Sequence, residues 1–295
     1  AATGKLVAMR RELLRFARKD ATLGPVDLDF KHLFTSWFNR GFLVLQPVNW
    51  QSPAGMLEKI IQYEAVHEIT SWADLRNRLQ PIDRRCFAFF HPAMPDEPLI
   101  FLEVALTKGV PNSIQAVLSE NREIVDPAQA DTAVFYSISN CQSGLAGISF
   151  GNSLIKQVVA DLSRELKDLK TFVTLSPIPG FRKWLKDTAR LTDDLGPEDI
   201  QKLAAHYLLN AKQDDGWPLD PVARFHLGNG ALVHAVHAEA DISDKGKIQS
   251  LGAMVNYLYD LSLISTNHEG FASDKKITAS AGTENLNKAA IKAEL

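Results

Sequence analysis

Gly144, Gly147 and Gly151 fall between an apolar run, AVFYSIS (133–139), and an amphipathic run, SLIKQVVADLSREL (153–166). A strand, a glycine-rich turn and a helix cradle phosphate when successive backbone N–H groups turn inward and the helix dipole favours the anion. Spacing excludes two phosphate motifs. A Walker loop needs G-x-x-x-x-G-K-[ST], and no Lys-Ser pair follows these glycines; a dinucleotide turn needs G-x-G-x-x-G, and the spacing here is G-x-x-G-x-x-x-G. What remains is Gln142-x-Gly144-x-x-Gly147 opening a long helix, which serves either an anion or close helix–strand packing.

Ser176 ends a second strand-like run, TFVTLSP (171–177), and is followed by Pro177 and Pro179. Proline fixes φ and donates no backbone bond, so the strand stops there and its edge opens. A lone serine at such a place more commonly satisfies a local backbone group. The histidines make no metal constellation. His234 and His237 stand three apart in a strand-like run, where alternation puts them on opposite faces, and with Glu239 they form no triad. His206 has no ligand-type partner one turn away, and His32, His67, His91 and His268 stand alone. Cys86 and Cys141 are too few for a disulfide framework or a four-thiolate zinc site and read as reduced, half-buried thiols.

The elements that must position these residues follow from periodicity and punctuation. A helix is expected over 5–18, with Leu6, Met9, Leu13, Leu14 and Ala17 on one stripe. A Gly24-Pro25 loop, a strand in 41–50 and a helix from 56 toward 69 follow. Ser71 with Asp74 three residues on reads as the start of a helix to 79. Strand-like runs at 84–93 and 98–107 are close enough for a hairpin, and 230–238 and 253–259 are late strands. Leu154, Ile155, Val158, Val159, Leu162 and Leu166 repeat at helical spacing. Residues 181–191 and the stretch after Pro197 are helical. The mixture is α+β or mixed α/β.

Composition narrows the class. The chain has 295 residues, 45% apolar and 23% charged, with a net charge of −3, which suits a globular protein and argues against a general nucleic-acid binder. No apolar run approaches the ~18 residues of a spanning helix, so no membrane partner is expected. The basic amphipathic start lacks the apolar core of a signal peptide.

The order YSIS-x-x-Q-x-GL-x-G-x-x-x-G, then LSPIPGF near 175 and PVARFHLGNGA near 221, resembles the malonyl-CoA decarboxylase family. LFTSWFNRGFLVLQPVNWQSP, EVALTKGVPNSIQAV and GAMVNYLYDL extend the resemblance over roughly residues 30 to 265. It implies a GNAT (acyltransferase-like) catalytic domain over 36–295, and residues 1–35 as the tail of a helical, oligomer-forming domain. The turn then resembles that fold's pyrophosphate loop, with Gln142 one residue closer to the first glycine than usual. The implied coenzyme A contacts are Gln142, Gly144, Ala146, Gly147, Ile148, Ser149, Phe150, Gly151, Asn152 and Ile155. Lys156, Arg182 and Lys183 are further candidates for its phosphates. Where family loops can carry a carboxylate two residues after the central glycine, this chain has Ser149.

The resemblance assigns catalysis to Ser176 and His226: Ser176 to the substrate carboxylate, His226 to the thioester carbonyl and the proton. The reaction implied is decarboxylation of malonyl-CoA to acetyl-CoA and CO2 through a thioester enolate, with neither metal nor organic cofactor, since the thioester is itself the electron sink. A CoA-dependent acyltransferase and a non-catalytic CoA-binding module are the alternatives. Tyr257 and Tyr259 read as packing aromatics that could also line the acyl pocket. A homo-oligomer in a bacterial cytoplasm is expected, with a mitochondrial setting left open.

Overall fold

The computed structural model describes residues 2–148 and 154–293. The chain gathers into two compact units, Ala1–Val104 with Ser137–Asp161, and Ala105–Tyr136 with Leu162–Leu295.

The first unit opens with α1 (Ala2–Ala17) and α2 (Gly24–Trp37). The Gly24-Pro25 pair, expected as a loop, instead starts α2. Proline fits a first helical turn because the N–H it lacks would have no partner there. After β1 (Val44–Val48), α3 (Ala54–Tyr63) stops six residues before the expected end at 69. The Glu64 carboxylate folds back, its Oε1 accepting the N–H groups of Val66 and His67 at 2.8 Å each, and so takes the donors of the next turn. The start of α4 (Trp72–Leu79) is as expected: Ser71 Oγ accepts the Asp74 N–H, and Asp74 Oδ2 accepts the Thr70 N–H.

Next come β2 (Arg84–Phe90) and β3 (Ile100–Thr107). β1 pairs antiparallel with β2, Val44 opposite Phe90 and Val48 opposite Cys86, and β2 neighbours β3. Val48, Leu57, Ile60, Leu75, Phe90 and Phe101 share one core. Cys86 and Cys141 are free thiols buried in it, deeper than expected, and burial raises both above the usual thiol range.

In the second unit α5 (Ile114–Leu118) precedes β4 (Thr132–Asn140), whose last residues pass into the first unit. α6 (Leu154–Glu165) connects β4 to β5 (Thr171–Thr174), and the two strands are parallel, Thr132 opposite Thr171 and Phe135 opposite Thr174. Val158, Val159 and Leu162 of α6 are fully buried, the stripe expected from their spacing. The run 171–177 is two strands. It breaks at Leu175 and resumes as β6 (Ser176–Pro177), because Pro177 has no N–H with which to continue the β5 ladder.

α7 (Phe181–Asp187), α8 (Pro197–Asn210), α9 (Pro221–Gly228), β7 (Leu232–His237), α10 (Asp244–Ser250) and β8 (Met254–Leu258) follow, then α11 (Ile264–Asp274) and α12 (Ala281–Lys292). β8 is antiparallel to β5, β6 and β7. With the parallel β4–β5 pair this makes a mixed sheet in a mixed α/β fold. The β7 register slips between Val233 and Ala235, leaving His234 in a bulge. The bulge interrupts the strict alternation on which the expected opposite faces of His234 and His237 rest. Burial, and then the nearby His237, hold the His234 imidazole below its usual range. No described helix is long and apolar enough to cross a membrane.

Candidate active site

Ser176 and His226 meet in the second unit. Leu175 turns the chain out of β5, so Ser176 enters β6 with its hydroxyl buried. Asp220 caps α9, its Oδ1 accepting the Ala223 N–H at 2.8 Å, with Pro221 in the first turn, and this short helix carries His226 near its end. Ser176 Oγ lies 3.2 Å from His226 Nε2, and His226 Nδ1 lies 2.8 Å from the Tyr259 hydroxyl. The Tyr257 ring stacks on the imidazole with centroids 4.6 Å apart. Ser176, His226, Tyr257 and Tyr259 are all buried. Desolvation pushes the His226 pKa down to about 3, so the ring is neutral at neutral pH. Burial also lifts the Asp220 carboxyl to about 6.

The donors have a direction. Ser176 Oγ donates to Thr174 Oγ1 at 2.8 Å, and that oxygen also accepts the Tyr257 N–H at 3.1 Å. With its proton committed to Thr174, Ser176 accepts from His226 Nε2–H, which leaves Nδ1 to accept from the Tyr259 hydroxyl. The neutral imidazole is therefore a donor toward the serine, the reverse of a base that would activate it.

The glycine turn lies in the first unit. Ser143–Leu145 is a single 3₁₀ turn. A Cβ on Gly144 would lie 2.0 Å from the Val7 carbonyl oxygen, so only glycine lets the turn approach α1 this closely. Gly147 has φ +74°, a left-handed backbone that glycine adopts freely. Gln142 Nε2 donates to the Pro98 carbonyl at 3.0 Å, so its amide is tied to the neighbouring backbone. Ala146 is exposed, whereas Ile148 and Ile155 are buried; the Ile155 side chain belongs to the core. Ser149, Phe150, Gly151 and Asn152 lie outside the described residues. Lys183 is ion-paired with Asp187. Among the described residues no three His, Cys, Asp or Glu side chains gather as a metal site.

Residues 1–38 match the malonyl-CoA decarboxylase N-terminal domain, and 41–199 and 187–295 match the malonyl-CoA decarboxylase C-terminal domain. The chain belongs to the malonyl-CoA decarboxylase family. It is 37% identical to the mitochondrial malonyl-CoA decarboxylase of Anser anser anser over 93% of its own length, and spans 64% of the length of that relative. The crystal structure of malonyl-CoA decarboxylase from Rhodopseudomonas palustris superimposes with a TM-score of 0.90 at 51% identity, covering 96% of this chain and 75% of that one. The Agrobacterium vitis structure gives 0.90 at 52%, covering 96% and 76%.

In this member of the malonyl-CoA decarboxylase family the sequence reading omits Thr174 and Asn256 and takes Tyr259 for packing. Asn256 is fully buried; its Nδ2 donates to the Thr174 carbonyl at 2.8 Å, and its Oδ1 accepts from His237. Thr174 is thus held at both its carbonyl and its hydroxyl where the strand breaks. The available signal was the Tyr257-x-Tyr259 spacing, which aims both phenols at one face. Thr174→Val keeps the shape and removes the acceptor for Ser176. Nitrogen-15 NMR of His226 is expected to show the Nε2–H tautomer in the unaltered protein and a shift toward Nδ1–H in the variant. An Nδ1–H tautomer in the unaltered protein would contradict the donor order.

Proposed function

We propose that the chain decarboxylates malonyl-CoA to acetyl-CoA and CO2. The observation that carries this reading is the buried Ser176–His226 contact, with a neutral imidazole donating from Nε2, in a chain of this family. The bond between C2 and the carboxylate carbon breaks, its electron pair passes to the thioester carbonyl as an enolate, and C2 takes one proton. CO2 leaves without a proton, so water supplies the one consumed. A neutral Nε2–H suits the developing enolate oxygen, and a preorganised buried donor of this kind is worth most in a dry site. With substrate bound, the Ser176 hydroxyl turns from Thr174 Oγ1 to donate to the carboxylate, and loss of that charge as CO2 is favoured where water is scarce. The thioester carbonyl is the electron sink, so the reaction calls on no metal or organic cofactor.

The glycine turn, with Gly144 against α1 and Gly147 left-handed, is read as the seat of the CoA diphosphate. Malonyl-CoA incubated with the protein and no acyl acceptor should yield equal amounts of acetyl-CoA and CO2. Product formed only when an amine acceptor is present would favour an acyltransferase, and CoA binding without any turnover would favour a binding module.

A further inference from the structure

Arg10 of α1 is completely buried beneath the glycine turn. Its Nη1 donates to the Gly144 carbonyl at 2.8 Å and the Ala146 carbonyl at 3.0 Å, and its Nε donates to Asp27 Oδ1 of α2 at 2.8 Å. Nη2 is buried with no partner among the described residues. The guanidinium therefore draws the two carbonyls of the turn toward α1, and the ends of those dipoles that would repel an anion are occupied. Lys31, one helical turn after Asp27, reaches the other side of the turn. Its Nζ is 3.4 Å from Asp27 Oδ2, and its Cε is 3.8 Å from where a Cβ on Gly147 would stand. The Gly147 N–H has no acceptor among the described residues. Two cations thus share one carboxylate around a turn whose central glycine leaves an N–H unused among the described residues, and Lys31 remains about half exposed. Arg10, Lys31 and Asp27 together carry one net positive charge beside this donor.

We propose that α1 and α2 complete the anion site of the glycine turn: Arg10 positions the turn, and Lys31 with the Gly147 N–H contacts the diphosphate of the CoA substrate. The inference rests on the reading of the turn as a CoA site. It gives the amino-terminal helices a part in substrate binding that no motif in their sequence announces, because the residues they act on lie more than a hundred positions downstream.

Calorimetric titration of the whole chain with CoA, and with phosphate-free pantetheine, tests it. Lys31→Gln is expected to weaken CoA about tenfold, as loss of a charge-assisted contact does, to make CoA binding less salt-dependent, and to narrow the affinity gap between CoA and pantetheine. Arg10→Lys keeps a charge but not the fork. It should weaken CoA to a similar degree and speed amide exchange of Leu145–Ile148, a readout that does not depend on turnover. Unchanged CoA affinity and salt dependence in Lys31→Gln, or equal weakening of CoA and pantetheine, would overturn the proposal. Malonyl-CoA turnover by the unaltered protein is measured on the same preparation. If it turns over malonyl-CoA while Lys31→Gln binds CoA normally, this inference fails alone. If it binds CoA in the expected pattern without turnover, the decarboxylase reading fails alone.

Discussion

His226→Ala is expected to lower kcat for malonyl-CoA by roughly 100- to 10,000-fold, the range over which positioned proton donors and preorganised hydrogen-bond donors act. KM should change much less, because the turn proposed to hold the diphosphate lies far from His226 in the sequence. Tyr259→Phe removes the donor to Nδ1 and leaves the ring in place. It frees the tautomer and should cost about tenfold in kcat, a value between that of the intact ring and that of no ring. The pH profile provides a separate check. With a pKa of about 3, His226 contributes no inflection to kcat between pH 5 and 8. An acid limb near pH 6 that vanished in His226→Ala would show a titrating imidazole and refute the neutral-donor role. Near-normal turnover by His226→Ala would refute the mechanism altogether. The same pKa has a consequence for folding. The unfolded imidazole takes a proton near 6.5 and the folded one near 3, so the stability this residue contributes is present above about pH 6.5 and lost as pH falls toward 3.

Arg78→Met is expected to lower the unfolding free energy by about 1–3 kcal/mol, as loss of a donor to buried acceptors does, read by urea denaturation followed by fluorescence. Arg78 lies almost wholly inside the first unit. Its guanidinium donates to the carbonyls of His67 and Glu68 at 2.8 and 3.0 Å, to both oxygens of Asp74, and to Glu103 Oε2 at 3.3 Å. Methionine fills the volume and takes the guanidinium from the fully buried Glu103 and from the two carbonyls, while Asp74, partly exposed, keeps the Thr70 N–H. A loss below about 1 kcal/mol would mean that water takes over their satisfaction. Burial, and then the Glu64 carboxylate, outweigh the guanidinium at Glu103 and push its pKa up to about 8. The unfolded carboxyl loses its proton near 4.5 while the folded one keeps it, so stability falls as pH rises from 4.5 through 8 and levels off above. Glu103→Gln should flatten that decline. A decline of unchanged slope in Glu103→Gln would assign it to another group.

The Glu64 carboxylate shows how one residue joins local and long-range structure. It ends α3 by capping Val66 and His67, and it also accepts the Ser137 hydroxyl of β4 at 2.7–2.8 Å. From the sequence its helix is expected to run on toward 69, because apolar spacing continues past the point where the cap intervenes.

What the sequence determined by itself is what neighbours in the chain can enforce. The apolar stripe of α6, the Ser71 cap, the proline stop after Ser176 and the glycine turn each depend on residues within a few positions, and each is legible from residue type and spacing. The Asp220-Pro221 start of α9 is equally local. Tertiary structure alone decided the rest. It brought Ser176 to His226 across 50 positions and His226 to Tyr259 across 33. It committed the serine proton to Thr174, bulged β7 at His234, and laid Arg10 under a turn 134 residues away. Such contacts leave no periodicity in the chain. Their geometry is set by how helices and sheet pack, and a hydrogen bond that succeeds or fails over half an ångström is fixed only when that packing is complete.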